Sequence, residues 1–388
     1  MLSHHALTSS LSIRMKRGIF DPAHRCRSQI QNRVQFSLDP TMQPPSNPNT
    51  NRSMRWSNNS IIGKMTNMGK TASDLKCHRP QKNRGMKRDS VLIGNQKIGY
   101  YLYEYNPGDR YSPTSTAAAN IINVFLPGHG QRAATAQQLL SSLAQQNPSQ
   151  LTWSIDIDPS PGGSLLKTQA LIKILEQMFT KHYPSDMRNN VKVQIFGWSQ
   201  GGSEAMLAAA VAPEWITGIA CICSTGLVQR SVGNLATNFT LECTRIFTDA
   251  ARQRNGSFSL AIRLGLDITY GMASDVLSTR SIACAWEDLR DAARQVCGAN
   301  YDYNGDVILI FAENDTVISW RDAFPGCKSP GDVQTILQEY RQRYFPRVRN
   351  LKVEILPGNH IAPEADAERY VQAACRGLDP LQRIRVSG

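Results

Sequence analysis

The chain has 388 residues, of which 41% are hydrophobic and 19% are charged, so it can bury the core of a large domain. Its net charge of +12 is concentrated at the N-terminus, because residues 1–88 hold 16 of the 43 Lys and Arg residues but 3 of the 31 Asp and Glu residues. Residues 89–388 therefore carry 27 basic and 28 acidic residues, and we expect this nearly neutral part not to bind nucleic acid. No stretch approaches the ~18 consecutive apolar residues of a transmembrane helix.

The nine cysteines are scattered and form no C-x-x-C pair or Cys/His ligand cluster, which argues against a structural zinc site or a disulfide framework. Reduced thiols fit an intracellular protein better than a secreted one. The sequence also lacks a P-loop and a dinucleotide-binding fingerprint. We therefore expect neither a metal nor a cofactor.

Residues 1–88 are rich in Asn, Ser, Arg, Met and Pro and show no sustained apolar periodicity, which predicts a disordered basic extension. The first 35 residues contain six Lys and Arg residues and one acid, Asp21, a composition similar to that of an organelle transit peptide. A solvated extension, a misassigned start and an arm for anionic surfaces or RNA are the alternatives. The predicted location is cytoplasmic, or mitochondrial or plastidial if the extension is a transit peptide.

Apolar strand patterns alternate with helical patterns along the rest of the chain. Strands are predicted at residues 151–158, 193–196, 219–226, 307–312 and 351–356, and helices at 165–179 and 204–212. Such alternation is typical of an α/β fold with a mostly parallel sheet covered by helices on both faces.

The most specific motif follows the strand at residues 193–196. Residues 197–201 read G-x-S-x-G, and a helix pattern follows at once, which is the context of a nucleophile elbow. Glycines are needed there because the turn brings backbone segments too close for a Cβ. Ser199 is therefore the candidate nucleophile.

A serine needs a general base and an acid that orients it. Four of the seven histidines lie in the N-terminal extension, His182 lies in a polar connection, and His129 lies in a glycine turn. His360 remains, in the loop after the last predicted strand, and it is the candidate base.

The acid is expected at the polar end of the strand that begins at residue 307. Asp315 is our choice, whereas Glu313 lies nearer the strand and would serve only if the loop turned early. The structural alternative for Asp315 is a cap on the next helix. The order Ser199, Asp315, His360 is that of α/β-hydrolases.

On these motifs, residues 89–388 resemble a serine hydrolase of the α/β-hydrolase superfamily. Residues 124–131 are similar to the strand and loop that supply half of the oxyanion hole in the family, with Pro127-Gly128 where many members have His-Gly. The resemblance implies that the backbone N–H groups of His129 and Gln200 receive the oxyanion. The ring of His129 is expected to pack in the loop rather than act as a second base.

The resemblance also implies an inserted helical cap. Residues 226–304 lack strong strand patterns and contain helical stretches at 235–252, 258–270 and 281–297. The expected organisation is therefore a core in two parts, residues 89–225 and 305–388, with the cap between them.

The resulting expectation is hydrolysis of a small-molecule carboxylic ester through an acyl-enzyme. A thioester is the first alternative, because G-x-S-Q-G-G resembles acyl-protein thioesterases, although these typically lack a cap of this size. Amide and carbon–carbon bonds, a ligand receptor that reuses the fold, and a non-catalytic scaffold stay open.

Overall fold

One eight-stranded sheet organises the described part of the chain. The computed structural model describes residues 86–105, 121–129, 131, 136–146, 150–158, 162–183, 188–212, 214–253 and 282–378. The strands are β1 (Met86–Ile93), β2 (Gln96–Tyr105), β3 (Ile121–Leu126), β4 (Leu151–Ile157), β5 (Lys192–Trp198), β6 (Ile216–Ile222), β7 (Asp306–Ala312) and β8 (Asn350–Leu356). Their order is β1-β2-β4-β3-β5-β6-β7-β8. Strand β2 is antiparallel to β1 and β4, and all other pairs are parallel. The predicted α/β class is confirmed, and the sheet is that of the α/β-hydrolase fold.

The first two strands form an edge hairpin that the sequence patterns did not suggest. Its two-residue turn contains Gly94 in the left-handed region at φ 58°, a conformation that favours glycine. Strand β1 begins at Met86, so residues 86–88 of the predicted disordered extension belong to a strand. The first four residues of β1 are exposed at the sheet edge, and the polar run from Lys87 to Ser90 gives no apolar alternation.

The described helices follow the predicted order. They are α1 (Gln137–Gln146), α2 (Gly163–His182), α3 (Gln200–Val211), α4 (Val232–Gln253), α5 (Ile282–Ala292), α6 (Trp320–Ala323), α7 (Pro330–Tyr344), α8 (Ala362–Ala365) and α9 (Ala367–Leu378). Four of them overlap the helices predicted at 165–179, 204–212, 235–252 and 281–297. The predicted helix at 258–270 and residues 1–85 lie outside the described residues. No helix among those described is long and apolar enough to cross a bilayer.

The central parallel strands β3, β5, β6 and β7 are buried on both faces, as is typical of parallel sheets. Successive residues of β7 alternate between two apolar clusters: Leu309 packs in one, with side chains of α2, α3 and α7, and Ile310 in the other, with those of α1 and α9. Helices therefore cover both faces, and functional groups are left to the loops at the ends of the strands.

The turn from β5 into α3 is the strained point of the fold. Ser199 adopts φ 53° and ψ −118°, a conformation that costs a non-glycine residue of order 1–3 kcal/mol. A Cβ on Gly197 would overlap the carbonyl oxygen of Gly201, and a Cβ on Gly201 would overlap that of Leu126. The two glycines let β5, α3 and the end of β3 meet at one place.

Replacement of Gly201 by Ala should lower the free energy of unfolding by about 3 kcal/mol or more, because the methyl group meets backbone that cannot rotate away. Urea denaturation of the full chain measures the change. Gly331→Ala in the first turn of α7 is the matched control, since its nearest neighbour, Ser329 Oγ, lies 3.7 Å from the added Cβ. That control should change stability by less than about 1 kcal/mol. Equal midpoints for the two variants would contradict the tight turn.

Candidate active site

Three loops at the same edge of the sheet bring Ser199, Asp315 and His360 together. The Ser199 hydroxyl oxygen lies 3.0 Å from His360 Nε2, and His360 Nδ1 lies 2.8 Å from Asp315 Oδ2. Ser199 comes from the β5–α3 turn, Asp315 from the loop after β7, and His360 from the loop after β8. The residues singled out from the sequence thus form one hydrogen-bonded chain.

Asp315 contacts both His360 and its own loop, but it does not cap the next helix, because Ser319 is the N-cap of α6. Its Oδ1 accepts backbone N–H groups from Val317 and Ile318, each at 2.8 Å, while Oδ2 faces the imidazole. Asp315 is 3% exposed, whereas Glu313 is exposed and lies outside the cluster. One carboxylate therefore holds its own loop and orients His360, with a different oxygen for each task.

His360 is 3% exposed and is held from several sides. Burial alone would lower its pKa, but the charge of Asp315, the hydrogen bond to it and the charge of Glu242 outweigh burial and raise the pKa. The ring of Phe239 meets the imidazole edge-on, with centroids 6.3 Å apart. Trp198 Nε1–H donates to the His360 carbonyl at 3.3 Å. The imidazole is thus fixed in place, and its protonated form is more stable than that of a free histidine.

The loop after β3 lies against the serine. A Cβ on Gly128 would come within 3.1 Å of Ser199 Cβ, so this loop closely approaches the Ser199 side chain. The first N–H groups of α3, beginning at Gln200, have no acceptor within the helix. The His129 ring bonds the Gln200 side chain, with Nδ1 and Oε1 2.8 Å apart. The two predicted oxyanion-hole residues are therefore neighbours, and the His129 ring ties their loops together.

A cavity of about 140 Å³ opens beside Ser199. It is lined by Gly128, His129, Gln131, Trp198, Ser199, Gln200, Thr225, Leu235, Ala236, Phe239, Thr240, Leu289, Ala292, Val317, His360 and Ile361. None of these residues is Asp, Glu, Lys or Arg, and Leu235, Phe239, Leu289, Val317 and Ile361 are among the apolar ones. The cavity suits an uncharged group attached to the atom that Ser199 would attack.

Two buried residues near Ser199, Asp315 and His360 were not predicted from the sequence as site residues. Glu242 of α4 is bonded to the backbone N–H of His360, a residue 118 positions away, so no local pattern could reveal it. Cys223, at the end of β6, places its sulfur within 4.8 Å of ligand atoms of Asp315 and His360. Burial raises the pKa of this thiol well above its usual value, which keeps it protonated and disfavours metal binding.

A second buried charge cluster lies behind the loop after β3. Lys167 of α2 is 2.8 Å from Asp288 and 3.5 Å from Glu204, and both Lys167 and Asp288 are buried. Burial would lower the pKa of Lys167, but the neighbouring carboxylates raise it, so the ammonium stays charged. Burial raises the pKa of Glu204. Lys167 and Asp288 thereby join α2 to α5 beneath residues that line the main cavity.

Comparison with known proteins gives likeness at the level of architecture. No family model and no curated protein match the chain. Among solved structures it is similar to a bacterial membrane phospholipase A (14% identity, 77% of this chain and 87% of that chain, TM-score 0.47). It is also similar to E-2-(acetamidomethylene)succinate hydrolase (15%, 76% and 99%, 0.48) and to an esterase from Thermogutta terrifontis (12%, 74% and 96%, 0.47). At these identities the likeness concerns the fold alone.

Lys167→Met should lower the free energy of unfolding by about 3–5 kcal/mol, because Asp288 is left buried without its counter-ion. Urea denaturation at neutral pH measures the loss. Lys173→Met on the same helix is the control: its pair with Glu176 is 43% exposed at the lysine and should contribute less than about 1 kcal/mol. Adding Asp288→Asn to Lys167→Met should recover part of the loss. A wild-type midpoint for Lys167→Met would contradict the proposed role of the pair.

Proposed function

We propose that the chain is a serine hydrolase that cleaves carboxylic esters through an acyl-enzyme intermediate. The observation that carries the proposal is the hydrogen-bonded chain from the Ser199 hydroxyl through His360 to Asp315, at the wall of a cavity whose described lining contains no Asp, Glu, Lys or Arg. A serine is unreactive without such a base, and a base so placed can act on it at neutral pH.

In the first half-reaction, Ser199 Oγ attacks the ester carbonyl carbon while His360 Nε2 takes its proton. The carbonyl π electrons move to the oxygen, which the N–H groups of His129 and Gln200 receive; one such donor contributes about 3–4 kcal/mol to the transition state. Asp315 stabilises the imidazolium. Collapse of the tetrahedral intermediate expels the alkoxide, which His360 protonates to the alcohol.

In the second half-reaction, water replaces the alcohol. His360 takes a proton from the water as its oxygen attacks the acyl carbon. When the second tetrahedral intermediate collapses, the bond to Ser199 Oγ breaks and the imidazolium returns the proton to that oxygen. The acid leaves and the free enzyme is restored.

The segment between β6 and β7 is proposed to act as the cap, residues 226–304, over a core of residues 89–225 and 305–388. Support comes from α4 and α5, whose side chains Leu235, Phe239 and Leu289 line the cavity above Ser199. The volume of the cavity beside Ser199 is close to that of an engineered apolar cavity that binds benzene, about 150 Å³. An uncharged acyl group of about that size fits it.

Ser199→Ala and His360→Ala should each abolish labelling of the full-length chain by a fluorophosphonate probe and reduce ester turnover by about 10⁴-fold or more. Ser141→Ala and His182→Ala remove the same residue types away from the site and should leave labelling intact. Paired esters and thioesters with one acyl group identify the preferred bond. A folded wild-type chain that resists labelling would sink the hydrolase proposal, and tight stoichiometric binding of an ester without turnover would favour a receptor.

The cavity predicts a preference for neutral acyl groups of about four to eight carbons. A terminal carboxylate on the acyl chain should lower kcat/KM by about 100-fold or more, because a charge would lose its water without gaining a partner. A p-nitrophenyl ester series measures both effects. Ala292→Leu should shift the optimum to shorter chains and Leu289→Ala to longer ones, whereas Ala299→Leu, at an exposed position, is the control. If neither substitution changes the preferred acyl chain length, the acyl group binds elsewhere.

A further inference from the structure

Glu242 is a buried carboxylate that the reaction proposed above leaves unused. It lies near the middle of α4 and is 3% exposed, and every bond of its carboxylate given by the structure goes to the neighbourhood of the triad. Burial of a carboxylate costs free energy unless hydrogen bonds or a counter-charge compensate for the lost water.

Both oxygens of Glu242 are engaged, and they reach two separate loops. Oε2 accepts the backbone N–H of Thr316 at 2.9 Å and its hydroxyl at 2.6 Å. Oε1 accepts the backbone N–H of His360. Thr316 directly follows Asp315, so one side chain of α4 holds the loop of the acid and the loop of the base at once.

A second contact from the same helix face supports this reading. Phe239 lies one turn before Glu242, and its ring meets the His360 imidazole edge-on at an interplanar angle of 87°. The imidazole is thus confined by Phe239 on its ring and by Glu242 through its backbone. Hydrogen bonds to an ionised acceptor are about twice as strong as neutral ones, so the carboxylate is the firmer of the two restraints.

We propose that Glu242 is a positioning residue for the ester hydrolysis proposed above: it fixes the Asp315 and His360 loops relative to each other and stabilises the imidazolium that forms when Ser199 attacks. The inference rests on that proposed function. It adds a second carboxylate, supplied by α4, to the single acid identified from the sequence.

Other ionisable groups lie near Glu242 and His360. They are Asp315 in the loop after β7, Cys223 directly after β6, Tyr370 on α9 and His129 in the loop after β3. Burial raises the pKa values of Cys223 and Tyr370, so both stay neutral in the range where His360 titrates. Asp315 and Glu242 are the charges that raise the pKa of His360.

The test is Glu242→Gln in the full-length chain, with the rate of fluorophosphonate labelling followed against pH. Glutamine is isosteric, but its amide –NH₂ faces an N–H or O–H donor at one of the sites where the carboxylate now accepts. We expect the plateau rate to fall roughly 10- to 100-fold, because the base is no longer held in line with the serine. Loss of the negative charge lowers the pKa of His360, so the acidic limb should move to lower pH by about half a unit or more.

Glu242→Asp provides the second variant. It restores the charge with one methylene less, so its acidic limb should return towards that of the wild type while the plateau rate stays low. Glu287→Gln on α5 is the control, because it removes an acid that bonds the Gly162 N–H and is not among the residues that line the cavity, so it should alter neither the rate nor the limb. Thermal melts establish that each variant is folded.

The outcomes separate the two proposals. If wild-type protein is labelled and folded Glu242→Gln matches it in rate and pH profile, the role of Glu242 is refuted while the hydrolase proposal stands. A lower melting temperature with an unchanged profile likewise refutes the positioning role. If the folded wild type is not labelled at all, the hydrolase proposal fails first, and the positioning role falls with it.

Discussion

The backbone at Ser199 is the constraint on which the geometry of the site depends. Its positive φ persists because the surroundings hold it on both sides: its N–H donates to Ile222 at 2.9 Å, and its carbonyl accepts the N–H groups of Gly202 and Thr225, each at 3.1 Å. Strand β6 and the loop after it therefore fix the backbone of Ser199, and with it the position of the hydroxyl, independently of Asp315 and His360. The strain is compensated by the packed sheet rather than by the site itself.

From that fixed point the site extends through charges that are buried but satisfied. Asp315 accepts three hydrogen bonds, and Glu242 accepts three more from the two loops that flank it. Lys167 balances the carboxylates behind the loop after β3. Removing one member of such a set leaves the others buried without a partner, which is costly in free energy. The groups of each set therefore act as a unit. Rigidity near Ser199 is thus achieved with ions and not with apolar packing alone.

The sequence predicted what is local and missed what is distant. The β5–α3 turn, with Ser199, follows from short-range patterns, and chain order with strand ends was enough to propose Asp315 and His360. Glu242 could not be found this way, because its partners lie 74 and 118 residues along the chain and its neighbours on α4 give no distinguishing pattern. Strand β1 was missed for a related reason: an exposed edge strand needs no apolar alternation, since its partner β2 supplies the hydrogen bonds.

Helix α4 combines two tasks that are usually considered separately. Leu235 and Phe239 line the cavity, while Glu242, on the same helix, is bonded to the loops that carry Asp315 and His360. A helix is stiff over such a short length. An acyl group that displaces the part of the cavity wall formed by α4 therefore also strains the hydrogen bond between Glu242 and the His360 backbone. In the hydrolase proposal, the fit of the acyl group and the placement of the base are therefore coupled, and selectivity can arise in kcat as well as in KM.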